Sequence, residues 1–197
     1  MAENQRVMLT KRLLKESLIG LLAEKSIYQV SIRELCESAG INRSTFYKYY
    51  GSQFDLLKDM ERDMLEHIIK TLTPRGDLIS LQTLVCVLEY FEENIQLSRL
   101  LINNNVDPDF PRKLFQLEPI QEGLLGILRT QFDQNDLEYA FTYVSYGCYH
   151  MMSRWINKER REPIEKIACL LLEIVEKTMK EGEMRKWLAL TDAGRGE

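Results

Sequence analysis

Between Ser31 and Tyr50 the sequence carries start and stop signals for two short helices with one glycine between them. Ser31 followed by Glu34 has the spacing of a capping box, in which each side chain bonds the other residue's backbone amide at a helix start. Gly40 can adopt the left-handed conformation that ends a helix, and Asn42 can cap the helix that follows. The stretch therefore predicts a helix-turn-helix.

The second helix of this pair, expected over 43–50, is too short to bury all of its side chains. Phe46 and Tyr50 stand four residues apart and are expected to face inward, which leaves the polar and basic side chains pointing elsewhere. Arginine can fork onto a guanine edge, threonine offers a methyl group to thymine, and tyrosine and lysine can donate to phosphate oxygens. The candidates for DNA contact on this helix and at its start are Asn42, Arg43, Ser44, Thr45, Tyr47, Lys48 and Tyr49.

The residues alone leave a second interpretation open, because aromatic side chains in a short helix more often belong to a core and glycine-turned helix pairs occur in many bundles. The distribution of charge favours DNA. The whole chain has a net charge of −4, but residues 1–52 carry a balance of +3 and the remainder carries −7. A basic head on an acidic body is expected where the head meets phosphate and the body faces solvent or a second copy of the chain.

Helical periodicity recurs along the whole chain, whereas sustained alternation and hairpin turn signals are absent, so we expect an all-α fold. In the first helix Leu14, Leu18, Leu21 and Leu22 share one face, with Thr10 as a candidate N-cap. Further helices are expected over about 53–72, 78–94, 97–104, 112–131, 135–158 and 163–181.

The predicted architecture is an N-terminal three-helix helix-turn-helix DNA-binding domain and a C-terminal helical-bundle regulatory and dimerisation domain. The first covers residues 1–52, and helix 53–72 links it to the second, which covers residues 74–181 after a break at 73–77. Residues 182–197, with three glycines and several charges, are expected to form a flexible tail.

No stretch approaches the ~20 uncharged apolar residues that cross a bilayer, and the N-terminal Met-Ala-Glu-Asn-Gln-Arg lacks a secretory pattern. We therefore expect a cytoplasmic protein with no membrane partner. His67 and His150 have no partner at metal spacing and are expected to be structural. No nucleophile–base pair or phosphate-binding glycine loop is visible, so neither an enzyme nor a cofactor nor a metal is predicted. Free buried thiols are expected at Cys36, Cys86, Cys148 and Cys169.

Residues 39–57, Ala-Gly-Ile-Asn-Arg-Ser-Thr-Phe-Tyr-Lys-Tyr-Tyr-Gly-Ser-Gln-Phe-Asp-Leu-Leu, closely resemble the recognition helix and the start of the fourth helix of the tetracycline-repressor (TetR) family. The similarity runs over about residues 8–68. It implies that Ser31 joins the residues of the second helix as a DNA contact. Family members commonly carry lysine where this chain has Gln53 and use it on a phosphate, so we expect a shallower salt dependence of DNA binding here.

The body resembles the family's variable regulatory domain, most clearly in Tyr146-Gly147 through Trp155-Ile156 and then Pro163-Ile164. In the family these two helices pair with their two-fold mates. Independently, helix 135–158 carries apolar side chains on more than one face, which a single neighbour cannot cover. We therefore expect a homodimer through the helices near 135–158 and 163–181, which presents two recognition helices to a pseudo-palindromic double-stranded DNA operator.

Family members often enclose a small-molecule site in this body, which implies an effector that shifts the spacing of the two heads. Such pockets are mostly apolar with a few polar groups, although each candidate taken singly is more often a core residue. The candidates for contact with a small apolar or aromatic effector are Tyr90, Phe91, Phe115, Phe141, Cys148, Met151 and Trp155.

The predicted function is a dimeric DNA-binding transcriptional regulator, a repressor that is released by a small-molecule ligand. Two alternatives stay open. One is a co-regulator or protein-interaction module on the same fold with weak or no operator binding, in which Arg43 and Lys48 would be idle. The other is an activator, because the sign of regulation depends on where the operator lies relative to a promoter.

Overall fold

A computed structural model describes residues 2–72, 80–103 and 106–179 of the chain. Within these ranges the protein is helical and has no strand, which confirms the predicted fold class. None of the helices found there is long and apolar enough to span a membrane. The helices are α1 (Ala2–Leu22), a one-turn 3-10 helix (Ile27–Gln29), α2 (Ile32–Ala39), α3 (Arg43–Phe46), α4 (Gln53–Leu72), α5 (Leu81–Glu93), α6 (Ile95–Ile102), α7 (Phe110–Phe115), α8 (Glu118–Leu128), α9 (Leu137–Ile156) and α10 (Ile164–Met179).

The head consists of α1, α2 and α3, closed by the start of α4. Its core is formed by Leu14 and Leu18 of α1, Leu35 of α2, Phe46 of α3 and Leu56 of α4, all fully buried. Fully burying one such side chain contributes about 1.5–3 kcal/mol relative to exposure. A helix as short as α3 is unstable in isolation, so this packing is what holds it.

The body is built around α5, α6, α9 and α10, with α5 against α10 and α9 against both α6 and α8. Trp155 of α9 is fully buried, and its indole N–H donates to the carbonyl oxygen of Glu162 at 2.9 Å, which positions the turn before α10. The guanidinium of Arg161 in that turn lies over the Trp155 ring and forms an ion pair with Glu92 of α5 at 3.0 Å. These contacts fix α10 relative to α5 and α9.

The structure corrects two expectations in the head. Thr10 does not cap α1, because the helix begins at Ala2, and the Thr10 hydroxyl donates to the carbonyl oxygen of Arg6 at 2.9 Å as an interior threonine does. Only one half of the predicted capping box forms at α2. Ser31 accepts from the Glu34 amide at 3.2 Å, while the Glu34 carboxylate pairs with Lys25 instead of returning to the Ser31 amide.

A single helix over 112–131 was the wrong expectation, because α7 ends at Phe115 and α8 begins at Glu118. The physical reason is Pro119, which lacks an N–H and would clash with the carbonyl of Phe115 in a continuous helix but is tolerated in the first turn of α8. The recognition helix is also shorter than 43–50, since the chain continues after Phe46 as a hydrogen-bonded turn. The predicted break at 73–77 and tail at 182–197 lie outside the described residues.

Candidate nucleic-acid interface and body cavities

The turn between α2 and α3 is set by Gly40 and Asn42. Gly40 ends α2 with φ 65°, in the left-handed region that the sequence predicts for it. The Asn42 side-chain oxygen then accepts from the Ser44 amide at 2.9 Å and from the Ser44 hydroxyl at 3.0 Å, so the predicted cap is confirmed. These local bonds start α3 at a defined residue and orientation.

Two buried aromatic residues anchor the short recognition segment. Phe46 is fully buried and Tyr50 nearly so, as their four-residue spacing predicts. Because both rings point into the head, Arg43, Tyr47 and Lys48 are directed outward, and Tyr47 is 58% exposed. Among the described residues neither Arg43 nor Lys48 has an ion-pair partner, so both cations are available to an external anion.

The remaining candidates for DNA contact take different places. Ser44 is exposed beside Arg43, and Thr45 and Tyr49 are half-buried. Ser31 and Asn42 are exposed at the N-termini of α2 and α3, where each caps its helix. The exposed face of α3 therefore brings together cations, hydroxyls and a phenol, while the two caps support it.

Tyr28, in the 3-10 turn before α2, is a surface residue that sequence periodicity does not reveal. It is 83% exposed, and its ring lies 5.4 Å from that of Phe54 in the first turn of α4. The adjacent Gln53 amide donates to the carbonyl oxygen of Ile27 at 3.4 Å, so it ties α4 to this turn. The phenol of Tyr28 is thus held near the N-termini of α2 and α4, where backbone amides attract phosphate.

Asp59 of α4 forms a buried polar centre behind the recognition segment. Its carboxylate accepts from the Tyr50 hydroxyl at 2.8 Å and lies 2.9 Å from the Lys15 ammonium, and it also pairs with Arg62. Burial by itself raises the Asp59 pKa, but hydrogen bonds from Lys15 and Tyr50 and the charges of Lys15 and Lys11 outweigh it, so the pKa lies below its ordinary value. The carboxylate therefore connects α1, α4 and the end of the recognition segment.

Further side chains of α4 contact both the head and the body. Lys15, already bound to Asp59, lies 2.5 Å from Asp63. One turn further along α4, the His67 ring stacks on Tyr90 of α5 at 3.8 Å with an interplanar angle of 10°. Side chains on α4 thus contact the head through Lys15 and the body through Tyr90.

The body contains an apolar pocket, called here the inner cavity, with a volume of about 90 Å³. It lies between α4, α5, α7, α8, α9 and α10. Leu72 at the end of α4 forms one wall, so the cavity touches the helix that carries Asp59. The lining residues are Leu72, Thr83, Leu84, Val87, Phe91, Leu114, Phe115, Ile120, Leu124, Cys148, Met152, Leu171, Leu172 and Val175.

Three of the seven effector candidates, Phe91, Phe115 and Cys148, line the inner cavity. Tyr90 instead stacks on His67, and Trp155 donates to the turn before α10. Phe141 lines a second space on the other side of Phe115, and Met151 is half-buried against the core without lining either space. The leucines and valines of the wall were missed because apolar residues at helical spacing look alike whether they border a cavity or fill a core.

The cysteines and histidines carry no metal site in the described part of the chain, where no group of three suitable side chains converges. None of the four cysteines, all of which lie in the described ranges, forms a disulfide. Their predicted burial holds for Cys36, but Cys86 and Cys148 are half-buried and Cys169 is exposed, because α10 turns that position outward. Burial raises the pKa of Cys148 to about 11, so this thiol is neutral where it lines the inner cavity.

The neighbouring helices α9 and α10 each expose apolar or aromatic side chains in the described chain. On α9 they are Tyr139, Tyr143 and Tyr146, spaced at one or two helical turns, and Tyr143 is 69% exposed. On α10 they are Leu170 and Ile174, which follow the same helical spacing. These five residues are called the tyrosine face below.

Helix-turn-helix regulators are the class of protein that this head and body define. Residues 18–60 match the family model described as bacterial regulatory proteins of the tetR family, and residues 80–177 match a transcriptional regulator C-terminal region. Together the two matches span more than half of the chain, and the chain belongs to the tetR family of bacterial regulatory proteins.

A similar curated protein is the uncharacterized HTH-type transcriptional regulator YxbF of Bacillus subtilis (strain 168). It is 26% identical over 172 residues, which cover 82% of this chain and 43% of that relative, so the chain spans less than half of its length.

Solved structures share the fold. A TetR transcriptional regulator from Streptococcus agalactiae 2603V superposes with a TM-score of 0.65 at 22% identity, over 89% of this chain and 98% of that one. The dihydroxyacetone kinase operon activator DhaS superposes with a TM-score of 0.59 at 17% identity, over 88% of this chain and 97% of that one. The Thermus thermophilus repressor FadR, solved with lauroyl-CoA, superposes with a TM-score of 0.53 at 17% identity, over 88% of this chain and 96% of that one.

Proposed function

We propose that this protein binds a pseudo-palindromic DNA operator as a homodimer and regulates transcription there. The observation that carries the proposal is the outward set Arg43, Tyr47 and Lys48, which two buried aromatic anchors and the Asn42 cap hold on one exposed turn. A helix presented in this way enters the major groove with its N-terminal side chains on base edges and flanking groups on phosphates. Tyr28 adds a further phosphate donor beside α2 and α4.

The homodimer is proposed to form through the tyrosine face, in agreement with the expected pairing of the helices near 135–158 and 163–181. Five exposed apolar or aromatic side chains on two adjacent helices form a patch of the kind that marks a protein interface. A two-fold interface uses the same patch on both chains, and a dimer supplies the two recognition helices that a palindromic operator needs.

Replacing Tyr143 and Ile174 together by glutamate is expected to give a monomer of 23.2 kDa, because two charges on each chain would be buried against their own copies. Sedimentation velocity measures the mass, and operator affinity is expected to fall about a hundredfold because only one half-site contact set remains. Arg129→Glu, which changes an exposed site at the end of α8, is the control and should stay dimeric. A dimeric double variant would contradict this interface.

We propose that a small apolar ligand in the inner cavity releases the operator. Leu72, in the cavity wall, lies on the same helix as Asp59, which holds Tyr50 at the end of the recognition segment. A ligand that prefers a body conformation with a displaced α4 would shift the population toward heads whose spacing misfits the operator. Repression is the proposed sign, although proteins of this fold include a named activator and a named repressor.

The test of the proposed function is enrichment of genomic fragments by the purified protein, followed by footprinting. The expected result is a short inverted repeat, protected symmetrically, with binding that weakens as salt rises. Failure to enrich any sequence, with the dimer intact, would favour the protein-interaction module over a DNA-binding regulator.

A further inference from the structure

Phe115, the last residue of α7, lies between two spaces in the body. On one side is the inner cavity, and on the other is a wider opening of about 510 Å³ between α7, α8 and α9, called here the outer chamber. Phe115 is nearly buried and lines both. The polar side chains of the outer chamber are Arg112, Gln116, Gln121, Glu138, Thr142, Ser145, Tyr149 and Tyr146, the last of which also belongs to the tyrosine face.

We propose that the two spaces form one binding site for an amphiphile with a short apolar tail and an uncharged, hydrogen-bonding head group, and that the tail displaces the Phe115 ring. This inference rests on the proposed function, in which the body holds an effector, and it names the chemical class of that effector. Carboxamides, alcohols and lactones with short alkyl or aryl tails belong to this class.

The inner cavity can accept only the tail. Its walls are aliphatic and aromatic, and the two polar side chains in them are already satisfied or neutral. The Thr83 hydroxyl shares a hydrogen bond of 2.7 Å with Ser80, and the Cys148 thiol is uncharged. An engineered apolar cavity of about 150 Å³ holds benzene, so by proportion a cavity of this size holds about four carbon atoms. A longer tail needs the space of the Phe115 ring as well.

The outer chamber fits an uncharged head group. The side-chain amides of Gln116 and Gln121 have no hydrogen-bond partner among the described residues, so they can both donate to and accept from a ligand. The two charged groups oppose each other, since Arg112 faces a chamber that also holds Glu138, and Arg112 lies 3.4 Å from Asp109. Of the charged side chains that line the chamber, Arg112 would attract a carboxylate and Glu138 would repel it, and an ammonium would meet the opposite pair, so an uncharged head group avoids both penalties.

The position of Phe115 also connects ligand binding to the head. Lys113, two residues earlier on α7, lies 3.0 Å from the buried carboxylate of Glu61 on α4 and 2.5 Å from Asp107. Because α7 is short and ends at Phe115, displacing the ring shifts the segment that bears Lys113. The ion pair with Glu61 then carries that shift to α4, the helix whose Asp59 accepts a hydrogen bond from Tyr50.

The test is isothermal titration calorimetry of the DNA-free dimer with three probes that share a pentyl tail: hexanamide, hexanoate and pentylamine. We expect hexanamide to bind once per chain and about tenfold more tightly than either charged probe, the ratio expected from one well-made hydrogen-bond set against an unfavourable charge. Equal or tighter binding of hexanoate or pentylamine would overturn the assignment of the head group. Absence of binding by all three would overturn the site.

Variants test the contribution of the outer chamber and that of Phe115 separately. Gln116→Leu/Gln121→Leu is expected to weaken hexanamide about tenfold, whereas Gln96→Leu, an exposed change on α6, leaves it unchanged. Phe115→Leu is expected to strengthen hexanamide binding, because the tail then has a smaller side chain to displace. Phe115→Trp is expected to weaken hexanamide binding. An unchanged affinity in both Phe115 variants would contradict the proposed partition. Operator binding without ligand is measured on the same preparations, so a failed titration with intact DNA binding counts against this site alone.

Discussion

Replacing Arg43 and Lys48 together by alanine is expected to reduce affinity for the operator by at least about a hundredfold at physiological salt. One bidentate base contact contributes ~1–3 kcal/mol of discrimination, and each phosphate contact adds a salt-dependent increment. Both side chains are exposed, so their removal leaves the packing of α3 on Phe46 and Tyr50 intact. Fluorescence anisotropy on the footprinted repeat measures the loss, and circular dichroism checks that the helices remain.

The matched control is Arg129→Ala/Lys177→Ala, which removes the same charge from exposed positions of the body. It should lower operator affinity only slightly, because these cations lie far along the chain from α3 and are paired with Glu122 and Glu173. The slope of log affinity against log salt should also become shallower in the head variant and not in the control. Equal losses in both variants would mean that net charge, rather than the recognition helix, governs binding.

The second large effect is expected from Asp59→Asn, which should destabilise the fold by about 2–4 kcal/mol, since removing one partner from a buried ion pair leaves charges uncompensated. Of its two carboxylate partners in the described ranges, Lys15 would keep Asp63, and the Tyr50 hydroxyl would lose a charged acceptor. Urea denaturation measures the stability. Asp63→Asn is the control, because that carboxylate is largely exposed and exposed pairs contribute at most ~1 kcal/mol.

The same pair of proteins tests the pKa of Asp59. A carboxyl group with a lowered pKa in the folded state stabilises the fold above its unfolded pKa, near 3.8, and that stabilisation is lost as the pH falls through the folded pKa. The stability difference between wild type and Asp59→Asn should therefore be constant from neutral pH down to about pH 5 and shrink below pH 4. A difference that stays constant to pH 2 would show that the charge of Asp59 is not the cause.

The head shows how much local sequence determines. Gly40 ends α2 through its own backbone conformation, and Asn42 caps α3 through a bond to a residue two positions later. Both roles are local and therefore follow from residue type and spacing. Phe46 and Tyr50 are inward anchors for the same reason, since a four-residue spacing places both on one face. Even the division of 112–131 into two helices has a local cause in Pro119, which sequence reasoning overlooked.

The buried polar centre at Asp59 and the spaces in the body were decided by tertiary structure. Nothing in the spacing of Lys15, Tyr50 and Asp59 indicates that they meet, because they come from separate segments that only the folded chain brings together. The same holds for Phe115, whose place between two spaces depends on how α7, α8 and α9 pack. Helix starts, turns and apolar faces are determined within a few residues, and the sequence by itself therefore determined the helix-turn-helix. Buried charge pairs and cavities depend on distances between distant segments, and only the packing of the helices decided them.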